Sequence, residues 1–405
     1  MRRRLSILLC VAMVACSVPV AAPSAGTSSA SATLTASPTP AATATASAAP
    51  TATPDCAATA FAHLTLDQRI GQLFLLGLAN DQLGSEETAA IRTRHFGSVW
   101  FVEKSSAGVD AIRRVSDAVQ ALATDDTTGS VRFFVAANQE GGIIQSLSGP
   151  GFATIPSALD QSTIDPGDLH AQARAWGEAL LRAGVNLNFA PVLDVVPPGT
   201  DSQNEPIGVL RRGYGHDPAT VSAHGIQFFL GMDDAGVSTT AKHFPGLGRV
   251  KGNTDFTASV VDTDTTTTDP SLGPFRDAIA RSVPFVMVAL ATYERIDPLR
   301  LAVFSPAVML TLLRGSLGFK GVVVSDDLGA TAAVAKIPPA DRAINFLTSG
   351  GDLIISKTVA PAVAMADAIR ARASADATFK SRVDDAALRI LRAKFDRGLL
   401  PCGVR

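Results

Sequence analysis

Gly321-Val322-Val323-Val324-Ser325-Asp326-Asp327 runs apolar through three consecutive β-branched residues and then ends in two carboxylates. A strand without a polar face must be covered on both sides, as in a parallel sheet. Seven other short apolar runs repeat the theme, at 73–78, 98–102, 133–137, 187–193, 237–241, 284–290 and 353–355. Together with 322–325 they make eight. Between them lie stretches with helical spacing, at 169–183, 218–235 and 361–373. Strands alternating with helices give an α/β fold. Eight units over roughly residues 60–400 favour a closed (β/α)8 TIM-type barrel over an open sheet. No GxGxxG follows the first strand, and no GxxxxGK[ST] follows any strand. Both absences argue against a nucleotide-binding sheet.

Polar residues gather just behind these runs. Glu103 and Lys104 follow the second, and Asn138-Gln139-Glu140 follow the third. Asp194 follows the fourth, Lys242-His243 the fifth, Asp326-Asp327 the seventh and Lys357 the eighth. A single such residue is explained by a helix cap or a solvated loop. Six strand ends carrying them point to a site, because in a barrel these ends converge on one face.

The 405 residues carry 35 Lys and Arg against 37 Asp and Glu, a net charge of −2. That balance offers no basic field for a nucleic acid. Aromatics make up only 6%, so a stacking platform for single strands is also excluded. At the N-terminus Arg2-Arg3-Arg4 precede an apolar run, 5–15. The run is shorter than the ~20 residues of a membrane span and fits the core of a signal peptide. It ends in Met13-Val14-Ala15-Cys16, which resembles a bacterial lipobox in having a small residue directly before Cys. The Met departs from that pattern. On this reading residues 1–16 are the signal and Cys16 carries lipid. The protein is then exported and held at the outer face of the cytoplasmic membrane through its lipid alone. The competing reading is an ordinary secretory signal, cleaved near Ala21-Ala22, and a secreted protein. Residues 17–54 contain no charge and are mostly Ala, Ser, Thr and Pro. Such a tract buries too little apolar surface to offset its ordering entropy, so 17–55 reads as a tether and 56–405 as one catalytic domain. Of the four cysteines, Cys10 leaves with the signal and Cys16 takes lipid. Cys56 and Cys402 remain, and an exported chain can keep them as a disulfide joining the two ends of the barrel.

Four segments resemble glycoside hydrolase family 3, in its single-domain bacterial β-N-acetylglucosaminidase branch. Ala137-Asn138-Gln139-Glu140-Gly141-Gly142 is similar to the family's DQEGG segment, and Asn188-Phe189-Ala190-Pro191-Val192-Leu193-Asp194 to its FAPVLD strand. Lys242-His243-Phe244-Pro245-Gly246 resembles KHFPG, and Val324-Ser325-Asp326-Asp327-Leu328 resembles SDDL. Arg212-Gly213-Tyr214-Gly215 is a weaker match to an RSFG turn. The resemblance implies a retaining, exo-acting β-glycosidase that releases terminal β-linked N-acetylglucosamine from cell-wall or chitin-type oligosaccharides. It makes Asp326 the nucleophile, and Lys242, His243, Arg212, Asn138 and Asp194 substrate contacts. It implies a monomer with an oligosaccharide substrate, and no cofactor, metal or nucleic acid. Asp327 then points away from Asp326 and orients the loop, since neighbours on a strand alternate. Gln139 and Glu140 are open to a structural role.

The departures carry equal weight. The family's acid/base is the His of an Asp-Ser-His triplet after KHFPGHG; here that triplet is Asn253-Thr254-Asp255. Asn138 replaces an Asp, Ile143 an Arg, Leu247 a His and Leu290 another His. Two readings follow. In one the enzyme works with Asp255 as proton donor, its pKa raised by burial or a neighbouring carboxylate. In the other the barrel is weakened or inactive and binds glycan without turnover. Retention of Asp326 favours the first; the joint loss of several polar groups favours the second.

Overall fold

The computed structural model describes residues 55–402. The signal at 1–16, the Cys16 lipidation site and the tether up to residue 54 lie outside the described residues. Asp55, the last tether position, caps helix α1 (Cys56–His63) by accepting from the amides of Ala57 and Ala58.

Eight parallel strands close into one barrel in sequence order. They are β1 (Phe74–Leu78), β2 (Ser98–Phe101), β3 (Phe134–Ala137), β4 (Leu187–Asn188), β5 (Ser238–Phe244), β6 (Phe285–Val288), β7 (Val322–Asp327) and β8 (Leu353–Ser356). β8 pairs with β1, Phe74 opposite Ile354, and shuts the cylinder. Almost every strand residue is buried, as expected where the interior packs on itself and the exterior is covered by helices. Phe134 of β3 meets Phe285 of β6 edge to face across the interior, with ring centroids 5.4 Å apart. The fold class read from the sequence is therefore the one observed.

Two strands, the fourth and the fifth, end three or more residues from the expected position. The fourth run, 187–193, supplies only Leu187–Asn188 to the ladder. Pro191 has no N–H to donate, so regular pairing stops before it. Beyond it Val192 keeps a single bridge to Lys242. The fifth strand runs on to Phe244, so Lys242 and His243 sit on the strand itself rather than in a loop.

At the N-terminal end of the barrel, helix α2 (Leu66–Gln72) leads into β1. Lys394, wholly buried, donates to Gln72 Oε1 and Gly97 O at 2.7 Å each and lies over the Phe134 ring. Burial holds its pKa well below the ordinary lysine value. The same end is tied covalently: Cys56 and Cys402 form a disulfide with Cα atoms 5.8 Å apart. Ala57, Ala60 and Leu64 pack with Leu391 and Leu400 beneath it. The bond closes a sequence separation of 346, a loop whose unfolded entropy is large. Replacing both cysteines with Ala is expected to lower stability by about 3–5 kcal/mol. Urea unfolding of the two forms checks this, and an unchanged midpoint would place the stability elsewhere.

Candidate active site

A pocket of about 350 Å³ opens where the C-terminal ends of the strands meet. Its floor is apolar, with Trp100, Phe189, Met287 and Ile355. Its polar wall comes from three strand ends and one loop, which contribute Asn138, Lys242 with His243, Asp326, and Arg212.

Glu140 organises that wall, although the sequence left its role open. Its carboxylate takes a forked pair from Arg212, Nε to Oε2 at 2.8 Å and Nη2 to Oε1 at 2.7 Å. Lys242 Nζ lies 2.7 Å from the same Oε1. Burial alone would push the Glu140 pKa up, but Arg212 and Lys242 outweigh it and bring it down to about 2. Burial and the nearby Arg212 hold the Lys242 ammonium below its ordinary value, against the pull of Glu140. Gly141 follows immediately, at φ +113°, and a Cβ there would lie 2.1 Å from Pro156 O. Only glycine allows the chain to turn directly behind the clamp. Gln139 has the structural role: its side chain both donates to Leu147 O and accepts from Leu147 N.

Lys242 also donates to Asn138 Oδ1 at 3.0 Å. An ammonium only donates, so Asn138 presents its oxygen to Lys242, and its side chain lines the pocket. His243 is held by Asp194, with Nδ1 2.7 Å from Oδ2 and its amide donating to Oδ1 at 3.2 Å. Asp194 is completely buried, and it also accepts from Leu247 N. It does not line the pocket. The expectation that Asp194 touches substrate is corrected on this point: it orients His243 and cannot reach a sugar.

Asp326 is the last residue but one of β7, and its Oδ1 accepts from the following amide at 2.8 Å. Asp327 is tied down by the amides of Lys357, Gly329 and Ala330. Ile355 N donates to Ser325 Oγ just before the pair. The strand end bearing Asp326 is thus pinned on both sides, as a positioned nucleophile needs. Asp255 reaches the pocket from the loop after β5. Asp255 is solvent-exposed at the rim, with protein atoms crowding it on the pocket side. That partial desolvation and the negative charge of Asp326 raise its pKa, against smaller opposing effects of Arg212 and His243. Asp255, with its raised pKa, and Asp326 therefore line one pocket, where acid/base chemistry at a glycosidic bond calls for two carboxyl groups. Among the described residues no group of three or more His, Cys, Asp or Glu side chains is placed to hold a metal ion.

A family model described as Glycosyl hydrolase family 3 N terminal domain matches residues 65–393. The chain belongs to glycoside hydrolase family 3. A β-hexosaminidase of Alkalilimnicola ehrlichii is 30% identical over 293 residues, covering 69% of this chain and 79% of that protein. The crystal structure of a β-N-acetylhexosaminidase from Beutenbergia cavernae shares 46% identity with a TM-score of 0.80, covering 82% of this chain and 98% of that one. A family 3 β-N-acetylglucosaminidase from a Paenibacillus species shares 29% with a TM-score of 0.75, covering 84% of this chain and 64% of that one.

Within this family 3 barrel, sequence reading missed Trp100 and Phe256 among the pocket residues, whereas Lys357 is one of the polar strand-end residues it singled out. Trp100 sits on β2, and the alternation of the strand could have flagged it as inward-facing. Lys357 lines the pocket with Glu103 only 3.9 Å from its Nζ. Phe256, directly after Asp255, lines the mouth and is 83% exposed. Ile143 and Leu290, where the family pattern has Arg and His, are not in the pocket wall, whereas Leu247 is.

Proposed function

We propose that this glycoside hydrolase is an exo-acting, retaining β-N-acetylglucosaminidase in which Asp326 is the nucleophile and Asp255 the general acid/base. The pairing of Asp326 and Asp255 across one pocket, with the Asp255 pKa raised, carries this reading. Arg212, Lys242, His243 and the Asn138 amide line the same wall and supply hydrogen bonds to the hydroxyls of a single terminal sugar. A pocket with a closed apolar floor suits a chain end rather than the middle of a polymer.

Asp326 attacks the anomeric carbon from one face. As that bond forms, the bond to the glycosidic oxygen breaks and Asp255 delivers its proton to the departing oxygen. Asp255, now ionised, takes a proton from water, which attacks the glycosyl–Asp326 bond and releases the sugar with retained configuration. The curated β-hexosaminidases and the solved β-N-acetylglucosaminidase structures support N-acetylglucosamine as the sugar released. The signal and lipobox-like segment support work outside the cytoplasmic membrane, on cell-wall or chitin-type oligosaccharides.

The test compares leaving groups. Nitrophenolate departs with little protonation, whereas a sugar alkoxide needs an acid. Asp255→Asn is expected to lower kcat/KM on a β-linked N-acetylglucosamine disaccharide about 10²–10⁴-fold, and on the nitrophenyl glycoside far less. In the wild type, disaccharide turnover falls on the alkaline side as pH rises through the raised Asp255 pKa, and Asp255→Asn removes that limb. Equal losses on both substrates would remove Asp255 from the acid role. Saturable glycan binding without turnover of either substrate would favour the non-catalytic reading.

A further inference from the structure

We infer that Phe256 is the platform of a leaving-group subsite, which stacks on the pyranose ring that the glycosidic oxygen carries away. The inference rests on the glycosidase reading above and adds the site beyond the scissile bond.

The fold gives no reason for this side chain. A phenyl ring gains from burial, yet Phe256 is 83% exposed and lines the pocket mouth. It is not at the end of a free loop. Its amide donates to Asn253 O at 3.1 Å, and the next amide donates to the same oxygen at 2.9 Å. Asp255 N donates to Asn253 Oδ1, which closes the turn. The far side is fastened to the loop after β7, where Ala332 N donates to Asp255 O and Ala333 N to Thr254 O. The near side is fastened by Asn253 N to Glu205 Oε2 at 3.1 Å. A turn held from three directions presents the ring to solvent in a fixed place.

That place is one residue from the proposed acid. Whatever receives the proton of Asp255 leaves past Phe256. Pro206 and Leu210 line the same pocket from the loop that Glu205 ties to this turn. They add apolar surface to the pocket that Phe256 also lines. A β-linked glucosamine-type ring carries its C–H groups axially, so its flat faces are apolar and its rim is polar. Such a ring fits an exposed phenyl face, and the ordering cost on the protein side has already been met by the pinned turn.

The test uses the full chain carrying Asp326→Asn, a variant expected to bind sugars without cleaving them. Calorimetry compares N-acetylglucosamine with its β-linked disaccharide. The disaccharide is expected to bind about tenfold more tightly, and Phe256→Ala is expected to erase that ratio while Phe256→Trp preserves it. In the cleaving enzyme Phe256→Ala raises KM for the disaccharide more than it lowers kcat. A ratio that survives Phe256→Ala overturns the subsite. Disaccharide affinity that depends on Phe256, in a wild-type protein that cleaves nothing, keeps the subsite and overturns the glycosidase reading. Failure of both sugars to bind overturns both.

Discussion

Asp326→Asn is expected to cut turnover of aryl and disaccharide substrates alike, by at least about 10³-fold. The loss is common to both because attack on the anomeric carbon precedes any difference between leaving groups. The amide is nearly the same size and can still accept from the Asp327 amide, so β7 and its neighbours should remain in place. A second consequence is electrostatic. The charge of Asp326 is one of the two leading causes of the raised Asp255 pKa. Neutralising it lowers the proton affinity of Asp255, which an infrared or NMR titration of that carboxyl can follow. Chemistry separates a nucleophile from a merely structural carboxylate. With Asp326→Gly, added azide attacks the anomeric carbon, displaces nitrophenolate and gives the α-glycosyl azide. Activity of Asp326→Asn within tenfold of wild type, or azide without effect on Asp326→Gly, would move the nucleophile elsewhere.

The second large effect lies in the clamp. Glu140→Ala leaves two buried cations, Arg212 and Lys242, without their shared carboxylate. Removing one member of a buried ion network costs about 3–5 kcal/mol, mostly through the uncompensated charge. Sugar binding should weaken with it, because the cations that face the pocket lose their anchor. The pH dependence gives an independent check. The unfolded carboxyl takes up its proton near 4.5, whereas the folded one holds out to about 2. The folded pKa is depressed, so this contribution is complete above the unfolded value and is lost as pH falls toward the folded one. It amounts to about 3 kcal/mol across that window. In Glu140→Gln that stretch of acid sensitivity should be missing from urea midpoints measured between pH 5 and 2. A variant as acid-sensitive as the wild type would show that Glu140 is not the group responsible.

What the sequence made legible was local. Val322-Val323-Val324 could only be a strand covered on both faces, and the carboxylates behind it had to emerge at its end. The overrun of the fourth strand was also a local matter, settled by the missing N–H of Pro191. What stayed hidden was long-range. Nothing near Glu140 says that its partners stand 72 and 102 positions away, at Arg212 and Lys242. Asp194 looked like a sugar contact because its strand ends on the active face. Its carboxylate turns inward to His243, a direction fixed by packing. Asp255 was legible as a replacement for His, while its proton affinity depends on the distant Asp326. Phe256 stood one position further along and gave no signal, because an exposed ring declares itself only once its surroundings are folded.

The covalent clasp between Cys56 and Cys402 changes the topology of the molecule as well as its stability. Their Cα atoms are separated by 5.8 Å, a gap that one or two residues can span. The barrel is then a ring in which the point of entry is arbitrary. One proteolytic nick in a surface loop leaves a single covalent piece, and two are needed to release a fragment. The same ring can be opened at a loop on the face away from the pocket and sealed where the cysteines stand, giving a permuted chain with the same eight strands in the same circular order.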